Sequence, residues 1–161
     1  MTPLFSICHT TARPGEWRKT YDLWMSRAND PEDVEYVLCV DQRWGFAGWD
    51  EPCPTPKYRP NRDWWPDERS PARNVVALNR GRKCSVDGWN SAAAQSTGHV
   101  LILVSDDIEP PQDWDQALWS RFGLEEGAYR DFAVHVSTGW CDGPQASSIQ
   151  ILSRARYERL G

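Results

Sequence analysis

The sequence contains no apolar run long enough to cross a membrane, since no stretch approaches the roughly 18 consecutive residues that such a helix needs. The first residues, Met1 to Cys8, also lack the charged segment and the long apolar segment of a secretory signal peptide. Both absences predict a protein with no membrane span and no secretory leader.

The cysteines lack the spacing of a structural metal site. No Cys-x-x-Cys pair occurs in the sequence, and such pairs supply the ligands of most structural zinc sites. Cys8 and Cys39 lie in apolar stretches, where a cysteine usually behaves as a small hydrophobic residue. The cysteines therefore predict a reducing compartment, and we expect a cytoplasmic protein.

An excess of positive charge is also lacking. The 161 residues contain 18 Lys and Arg against 23 Asp and Glu, which gives a formal net charge of −5 at pH 7. Nonspecific binding to nucleic acid depends on basic residues that neutralise phosphates, so this balance disfavours a broad nucleic-acid footprint. It leaves room for a local basic patch. The length is that of one domain with a substantial core.

Strand-like and helix-like segments alternate along the chain. Strands are predicted at 4–8, 35–41, 74–78, 100–104, 129–136 and 148–152. Helices are predicted at 16–27, 85–97, 113–122 and 154–160. A polar turn is expected between the first strand and the first helix. Strands that alternate with helices form parallel units with right-handed crossovers. The pattern therefore predicts an α/β fold with a mostly parallel central sheet.

The most informative segment joins an apolar run to a pair of carboxylates. The five apolar residues Val100 to Val104 are typical of a strand buried on both faces, and Ser105, Asp106 and Asp107 follow directly. Open α/β sheets bind ligands at the carboxyl ends of their strands, and adjacent carboxylates repel unless a cation lies beside them. The segment predicts either a site for Mg²⁺ or Mn²⁺, which prefer oxygen ligands, or a solvated turn.

Two further segments have both a functional and a structural interpretation. Residues 42–73 contain six prolines and six aromatic residues, so they form either an aromatic lid over a ligand or an irregular flap packed on itself. Asn79 to Lys83 places three cations beside a glycine. Such a loop suits a phosphate or a polar base, or it is a solvated basic turn.

Four segments that span nearly the whole chain carry a family resemblance. They are Phe5 to Arg13, Val40-Asp41, Asn79 to Asp107, and Ile151 to Gly161. The third segment is the most specific, because Asn79-Arg-Gly81, Gly88-Trp-Asn90, Thr97-Gly98 and Ser105-Asp-Asp107 follow the order of one family's Asn-x-Gly, Arg-Asn, Ala-x-Gly and Asp-x-Asp motifs. Together the segments resemble the nucleotide-sugar domain of inverting, family-2-type glycosyltransferases, which have the GT-A fold.

The resemblance implies a Rossmann-like three-layer sandwich, with residues 1–161 as a single domain and 42–73 as a Pro/Trp-rich insertion. It implies transfer of a sugar from a nucleoside diphosphate sugar, with a UDP-sugar favoured, to an acceptor hydroxyl, with Mn²⁺ or Mg²⁺ as cofactor. Asp107 is the implied metal ligand, with Asp106 as the second. The implied donor-binding residues are Thr10, Arg13, Asp41, Arg80, Lys83 and Asp106.

The sequence departs from the family pattern in two places. Ser105 stands where the family has its first carboxylate, which affects the expected ribose and metal contacts. The family's general base lies some tens of residues beyond the segment that ends here at Gly161. Asp142 and His135 are the candidates for this base within the sequence, although a histidine in an apolar strand is also typical of a satisfied core residue. A transferase and an inactive or partial nucleotide-sugar-binding domain both remain open.

A nucleotidyltransferase uses the same sheet edge and is a more remote alternative. Such an enzyme should have a glycine- and lysine-rich triphosphate loop after the first strand, and His9 to Arg13 contains neither residue type. The acceptor could be a saccharide, a lipid or a modified DNA base. A similarity to bacteriophage-type transferases implies the last and would place the protein in the host cytoplasm, while saccharide and lipid acceptors are equally allowed. The sequence does not indicate an oligomeric state.

Overall fold

The computed structural model describes residues 2–11, 16–41, 75–79, 84–124, 131–137 and 147–160, excluding the side chains of 40, 41, 75–79, 135, 137 and 147–149. The strands are Phe5–Thr11 (β1), Val34–Asp41 (β2), Val75–Asn79 (β3), Val100–Val104 (β4), Ala133–Ser137 (β5) and Ser147–Ser153 (β6). The α-helices are Trp17–Ser26 (α1), Ser85–Ala93 (α2), Trp114–Phe122 (α3) and Arg154–Leu160 (α4).

The strands of the described residues form one sheet of six, in the order β3-β2-β1-β4-β6-β5. β3, β2, β1 and β4 are parallel to one another, whereas β6 is antiparallel to both β4 and β5. α1 and α2 lie in crossover connections between parallel strands. The predicted α/β fold with a mostly parallel sheet is confirmed.

Alternate residues of the central strands face opposite sides of the sheet. In β4, Val100 and Ile102 belong to a buried cluster with the aromatic residues of α1. Leu101 and Leu103 belong to a second cluster that contains Ala92 and other residues of α2. Helices therefore cover both faces of the sheet, which gives three layers and explains why the central strands are apolar throughout.

α1 packs on the sheet through aromatic side chains. Trp17, Tyr21 and Trp24 are buried, so the helical spacing of these residues reflects the core. Trp24 also packs edge-to-face on Trp114 of α3, with ring centroids 5.3 Å apart. The Trp114 indole N–H donates a hydrogen bond to the Trp24 carbonyl over 3.0 Å. These contacts fix α1 and α3 together on one face.

α2 lies unusually close to the opposite face because small residues form its contact surface. Gly88, Ala92 and Ala93 are buried. A Cβ atom at Gly88 would lie 2.0 Å from Thr10 Oγ1 and 2.8 Å from Thr10 Cβ. These distances are too short for any side chain, so glycine permits the close approach of α2 to β1.

The buried carboxylate of Glu35 links β2 to β1 and to the segment before β4 at the amino-terminal edge of the parallel strands. Glu35 is 2% exposed. Its oxygens accept hydrogen bonds from the Ser6 hydroxyl at 2.7 Å, the Thr97 amide at 2.7 Å and the Thr97 hydroxyl at 3.1 Å. The Gly98 amide lies 3.3 Å from the same carboxylate. Glu35 therefore fixes the chain as it enters β4.

The predicted boundaries differ from the observed ones mainly in β1, α2 and β5, and β5 begins at Ala133 rather than at 129. β1 continues through His9, Thr10 and Thr11, where a polar turn was expected, because these polar side chains are buried. α2 ends at Ala93 rather than Thr97, because Thr97 and Gly98 bind Glu35 instead of extending the helix. The predicted insertion at 42–73 lies outside the described residues, and the single-domain prediction stays untested.

The described helices do not include one with the length and apolar character needed to span a membrane.

Candidate functional site

The parallel strands bring their carboxyl ends to one edge of the sheet. β1 ends at Thr11 beside β2, and Asp41 is in register with Asn79 of β3. On the other side of β1, His9 is in register with Val104, the last residue of β4. The turn with the adjacent carboxylates therefore leaves the sheet at its carboxyl edge, as the sequence predicts, and the structure places it next to the end of β1. Open α/β sheets bind ligands at such an edge.

The Asp106 carboxylate is bound to the end of β1. His9 Nε2 lies 3.0 Å from Asp106 Oδ1, and the Thr11 hydroxyl donates to Asp106 Oδ2 over 2.9 Å. The side chains of His9 and Asp106 are 0% and 6% exposed. Both carboxylate oxygens thus have partners on one strand. A buried carboxylate requires such partners to offset its lost hydration.

Tyr36 of β2 binds the other side of the His9 ring, so that Asp106, His9 and Tyr36 are linked by hydrogen bonds. Its hydroxyl lies 2.6 Å from His9 Nδ1. Burial raises the pKa of the Tyr36 hydroxyl well above its usual value, and the negative charge of Asp106 raises it further. Because a carboxylate only accepts hydrogen bonds, His9 Nε2 carries the proton that Asp106 accepts. The other ring nitrogen, Nδ1, pairs with the Tyr36 hydroxyl.

Two helices fix the backbone of the turn itself. From α1, the Thr20 hydroxyl donates to the Asp106 carbonyl over 3.2 Å, and the Trp24 indole N–H donates to the Ile108 carbonyl over 3.1 Å. From α2, the Trp89 indole N–H donates to the Val104 carbonyl over 2.8 Å. The segment that leaves β4 is therefore held from both faces of the sheet.

Asp107 differs from its neighbour because it is exposed to solvent. The Ser105 hydroxyl donates to Asp107 Oδ1 over 2.7 Å. Ser105 therefore donates a hydrogen bond to the Asp107 carboxylate, where a carboxylate at position 105 could not. Asp107 thus has an exposed carboxylate on a turn whose backbone is held by hydrogen bonds from α1 and α2.

A carboxylate such as that of Asp107 is one type of ligand that a divalent cation accepts. In the described part of the chain, no group of three or more His, Cys, Asp or Glu side chains could hold a metal. Mg²⁺ sites commonly combine one or two carboxylates with waters and substrate phosphates instead of using a cage built by protein alone. The exposed Asp107 carboxylate can supply the protein ligand of such a site.

The other residues implied by the resemblance are only partly placed. Thr10 is buried on the α2 side of β1, against Gly88. Asp41 and His135 have described backbones in β2 and β5, while their side chains lie outside the described residues. Arg13, Arg80, Lys83 and Asp142 also lie outside. The roles predicted for all these residues, and for Asp106 and Asp107, stay predictions.

His9, Thr11 and Tyr36 were not predicted to act together. The sequence does contain a signal for the first two, since His9 and Thr11 continue the alternation of Phe5 and Ile7 along one face of β1. Two polar residues at those positions need buried partners. The partner Asp106 lies 97 residues beyond His9, so the alternation alone could not identify it.

No family model and no curated protein sequence matches the chain. Among solved structures, its α/β fold is similar to that of a mannosyltransferase. The matched structure is mannosyltransferase PcManGT from Pyrobaculum calidifontis in complex with GDP-Man and Mn²⁺, with a TM-score of 0.66 and 12% sequence identity. The match covers 100% of this chain and 47% of that chain, so this chain spans about half the length of its structural neighbour. At this identity the likeness shows the fold alone.

Proposed function

We propose that this chain binds a nucleoside diphosphate sugar along the carboxyl ends of β1, β2 and β4, and that it takes part in sugar transfer to an acceptor hydroxyl. One observation carries the proposal: a turn fixed from both faces of the sheet leaves Asp107 exposed at this edge. The glycosyltransferase-like fold and the resemblance of the Ser105-Asp-Asp107 segment to the family's metal motif support it.

Each predicted residue has a role that follows from its chemistry. The base of the donor would contact Thr10, Arg13 and Asp41, with uracil favoured by the resemblance. Arg80 and Lys83 would attract the base or the phosphates. Asp107 would hold Mn²⁺ or Mg²⁺, with the charge of Asp106 adjacent. A cation bound there would neutralise charge on the departing diphosphate.

The acceptor hydroxyl must lose its proton as it attacks the anomeric carbon of the donor. A side chain within hydrogen-bond reach would accept that proton as a general base. Asp142 and His135 are the residues we propose for this role. The acceptor class stays open between saccharide, lipid and modified DNA base.

The first test is a thermal melt with UDP and with GDP, each with and without Mn²⁺. GDP is included because the matched structure contains GDP-Man. At about 100 times its dissociation constant a ligand adds about 2.7 kcal/mol, which corresponds to about 5–10 °C for a chain of this size. Asp107→Asn should abolish the Mn²⁺-dependent part of the shift without lowering the melting temperature of the free protein. Asp41→Ala should reduce the shift with or without Mn²⁺.

Glu109→Gln is the matched control for Asp107→Asn. Glu109 is a second exposed carboxylate in the same loop, 3.9 Å from the Arg27 guanidinium, and its loss should leave the Mn²⁺-dependent shift unchanged. Retention of that shift in Asp107→Asn would contradict the metal assignment. Absence of a shift with either nucleotide in the unmodified protein would contradict the donor site.

The second candidate is a nucleotide-sugar-binding domain without turnover. The fixed turn and the exposed Asp107 carboxylate support binding of a diphosphate through a cation, and this role needs no general base. Release of nucleoside diphosphate from a UDP- or GDP-sugar separates the two candidates. Mn²⁺-dependent binding without release, in the presence of saccharide, lipid or DNA acceptors, would support the binding domain.

A further inference from the structure

We propose that Asp106 is a positioning residue. Its hydrogen bonds to His9 and Thr11 hold the turn after β4, so that Asp107 is presented to a cation. The part of the proposal that concerns the cation rests on the proposed function. The part that concerns the turn rests on the contacts of Asp106 and can be tested without a ligand.

The two adjacent carboxylates have different surroundings. The Asp106 side chain is 6% exposed, and its two oxygens are bound to His9 and Thr11. Asp107 is exposed, and its hydrogen bond comes from Ser105 within the same turn. Burial leaves the Asp106 oxygens little access to a cation beyond their partners on β1, whereas the Asp107 carboxylate is exposed to solvent.

The contacts of Asp106 connect the turn to the most deeply buried part of the sheet. His9 is fully buried and contacts Tyr36, which is 1% exposed. The Thr20 hydroxyl also binds the Asp106 carbonyl, so both the side chain and the backbone of this residue are held. Removing one of these partners should therefore change the geometry of the turn.

Residues that support a metal ligand without touching the metal have measurable effects. Replacing such an outer-shell partner typically weakens metal binding by about 10–100-fold. Here the support would pass along the backbone from Asp106 to Asp107, with Ser105 as the direct partner of the ligand. Asp106 would contribute to metal affinity through geometry.

Thr11→Val is the sharpest variant, because valine matches threonine in shape and is well suited to a strand. It removes the hydroxyl that donates to Asp106. Thr11→Ser keeps a hydroxyl and should restore the bond. Ser6→Ala is the matched control: it removes another buried hydroxyl-to-carboxylate bond from β1, at the opposite edge, where Ser6 binds Glu35.

Binding is measured with Mn²⁺ alone and with Mn²⁺ plus UDP or GDP, from the paramagnetic resonance signal of free Mn²⁺. Thr11→Val should weaken Mn²⁺ binding about 10–100-fold while nucleotide binding without metal is unchanged, and Thr11→Ser should restore most of the affinity. Ser6→Ala should lower the melting temperature without weakening Mn²⁺ binding. Equal losses in Thr11→Val and Ser6→Ala, or no loss in either, would overturn the role of Asp106 in presenting Asp107 to a metal.

Amide hydrogen exchange tests the turn without any ligand. The Ile108 amide donates to the Ser105 carbonyl over 3.2 Å and closes the turn, while Ile102 at the centre of β4 reports opening of the sheet. Thr11→Val should speed exchange at Ile108 relative to Ile102, and Ser6→Ala should leave their ratio unchanged. An unchanged ratio in Thr11→Val would overturn the positioning of the turn. If that ratio changes while the unmodified protein binds no Mn²⁺ or nucleotide, the proposed function fails and the positioning of the turn stands.

Discussion

Asp106 and Asp107 show how differently two neighbouring carboxylates can be used. The first is buried against His9 and Thr11, and the second is exposed beside Ser105. Like charges this close would normally disfavour each other's ionised form. Hydrogen bonds from β1 offset that repulsion for one carboxylate, and solvent screens the other. A divalent cation would stabilise the exposed one further.

Replacing Ser105 tests the direct support of Asp107. Ser105→Ala removes a hydrogen bond worth about 1 kcal/mol, so Mn²⁺ binding in the presence of the nucleoside diphosphate should weaken about fivefold. Because the bond is at the surface, the free energy of unfolding should change by less than about 0.5 kcal/mol.

Ser120→Ala is the control for this measurement. Ser120 is an exposed serine on α3 that accepts a hydrogen bond from Gln116, and it lies outside the turn. Unchanged Mn²⁺ binding in Ser105→Ala, measured by titration calorimetry, would show that the hydroxyl does not orient the ligand.

Burial makes the Cys8 thiol unreactive. Desolvation raises the pKa of its thiol from 9.0 to about 12, although a hydrogen bond with Ser96 lowers it in part. The thiol therefore stays protonated at neutral pH, and the thiolate is the reactive form. The interpretation of Cys8 as a small hydrophobic residue agrees with this environment.

At the scale of elements, β1 is the strand on which the site depends. It pairs with β2 on one side and β4 on the other. Its His9 and Thr11 side chains face the turn after β4, while Thr10 faces α2. One short strand thus sets the position of the turn and the distance of α2 from the sheet.

Gly88→Ala should be destabilising although alanine favours helix. The gain in helix propensity is about 1 kcal/mol, but the new Cβ would collide with Thr10 Oγ1 and Cβ. Overpacking of this kind costs about 1–3 kcal/mol. We expect a lower midpoint in urea unfolding and weaker nucleotide binding, since Thr10 would have to move.

Asn90→Ala separates the gain in helix propensity from the steric collision. Asn90 is exposed on the same helix, so the substitution gains helix propensity without a collision and should not lower the midpoint. If Gly88→Ala were as stable as Asn90→Ala, the close packing of α2 on Thr10 would be wrong.

At the scale of the whole molecule, the two edges of the parallel strands have different uses. The amino-terminal edge is closed by Glu35 with Ser6, Thr97 and Gly98. The carboxyl edge carries the exposed Asp107. We therefore expect stability and the proposed ligand binding to be separated by the length of the strands, so that each edge can be altered without the other.

Glu35→Gln should lower the free energy of unfolding without changing ligand binding. The amide keeps one oxygen that can accept from Ser6, Thr97 and Gly98 but loses the negative charge that strengthens these bonds, which costs about 1–3 kcal/mol. Mn²⁺-dependent binding of UDP or GDP should keep its wild-type dissociation constant, measured well below the melting temperature.

Glu32→Gln is the control, because Glu32 is exposed just before β2 and should change stability by less than about 0.5 kcal/mol. A large loss of nucleotide affinity in Glu35→Gln, with the protein still folded, would contradict the separation of the two edges.

Much of the fold could be predicted from the sequence because the relevant signals are local. The apolar run of β4 was predicted with its exact bounds, and α1 and α4 were placed to within one residue at each end. Strand and helix periodicity depend on neighbours within a few positions. The prediction for the polar end of β1 was wrong, because polar residues indicate a turn unless distant partners bury them.

The sequence by itself determined the α/β class, the parallel core and the arrival of carboxylates at one sheet edge, because these follow from local periodicity and strand direction. Only the tertiary structure decided which carboxylate is exposed. That outcome depends on Asp106 meeting Thr11 and His9, which precede it by 95 and 97 residues. Such contacts follow from β1 and β4 being neighbours in the sheet, and no local pattern specifies that adjacency.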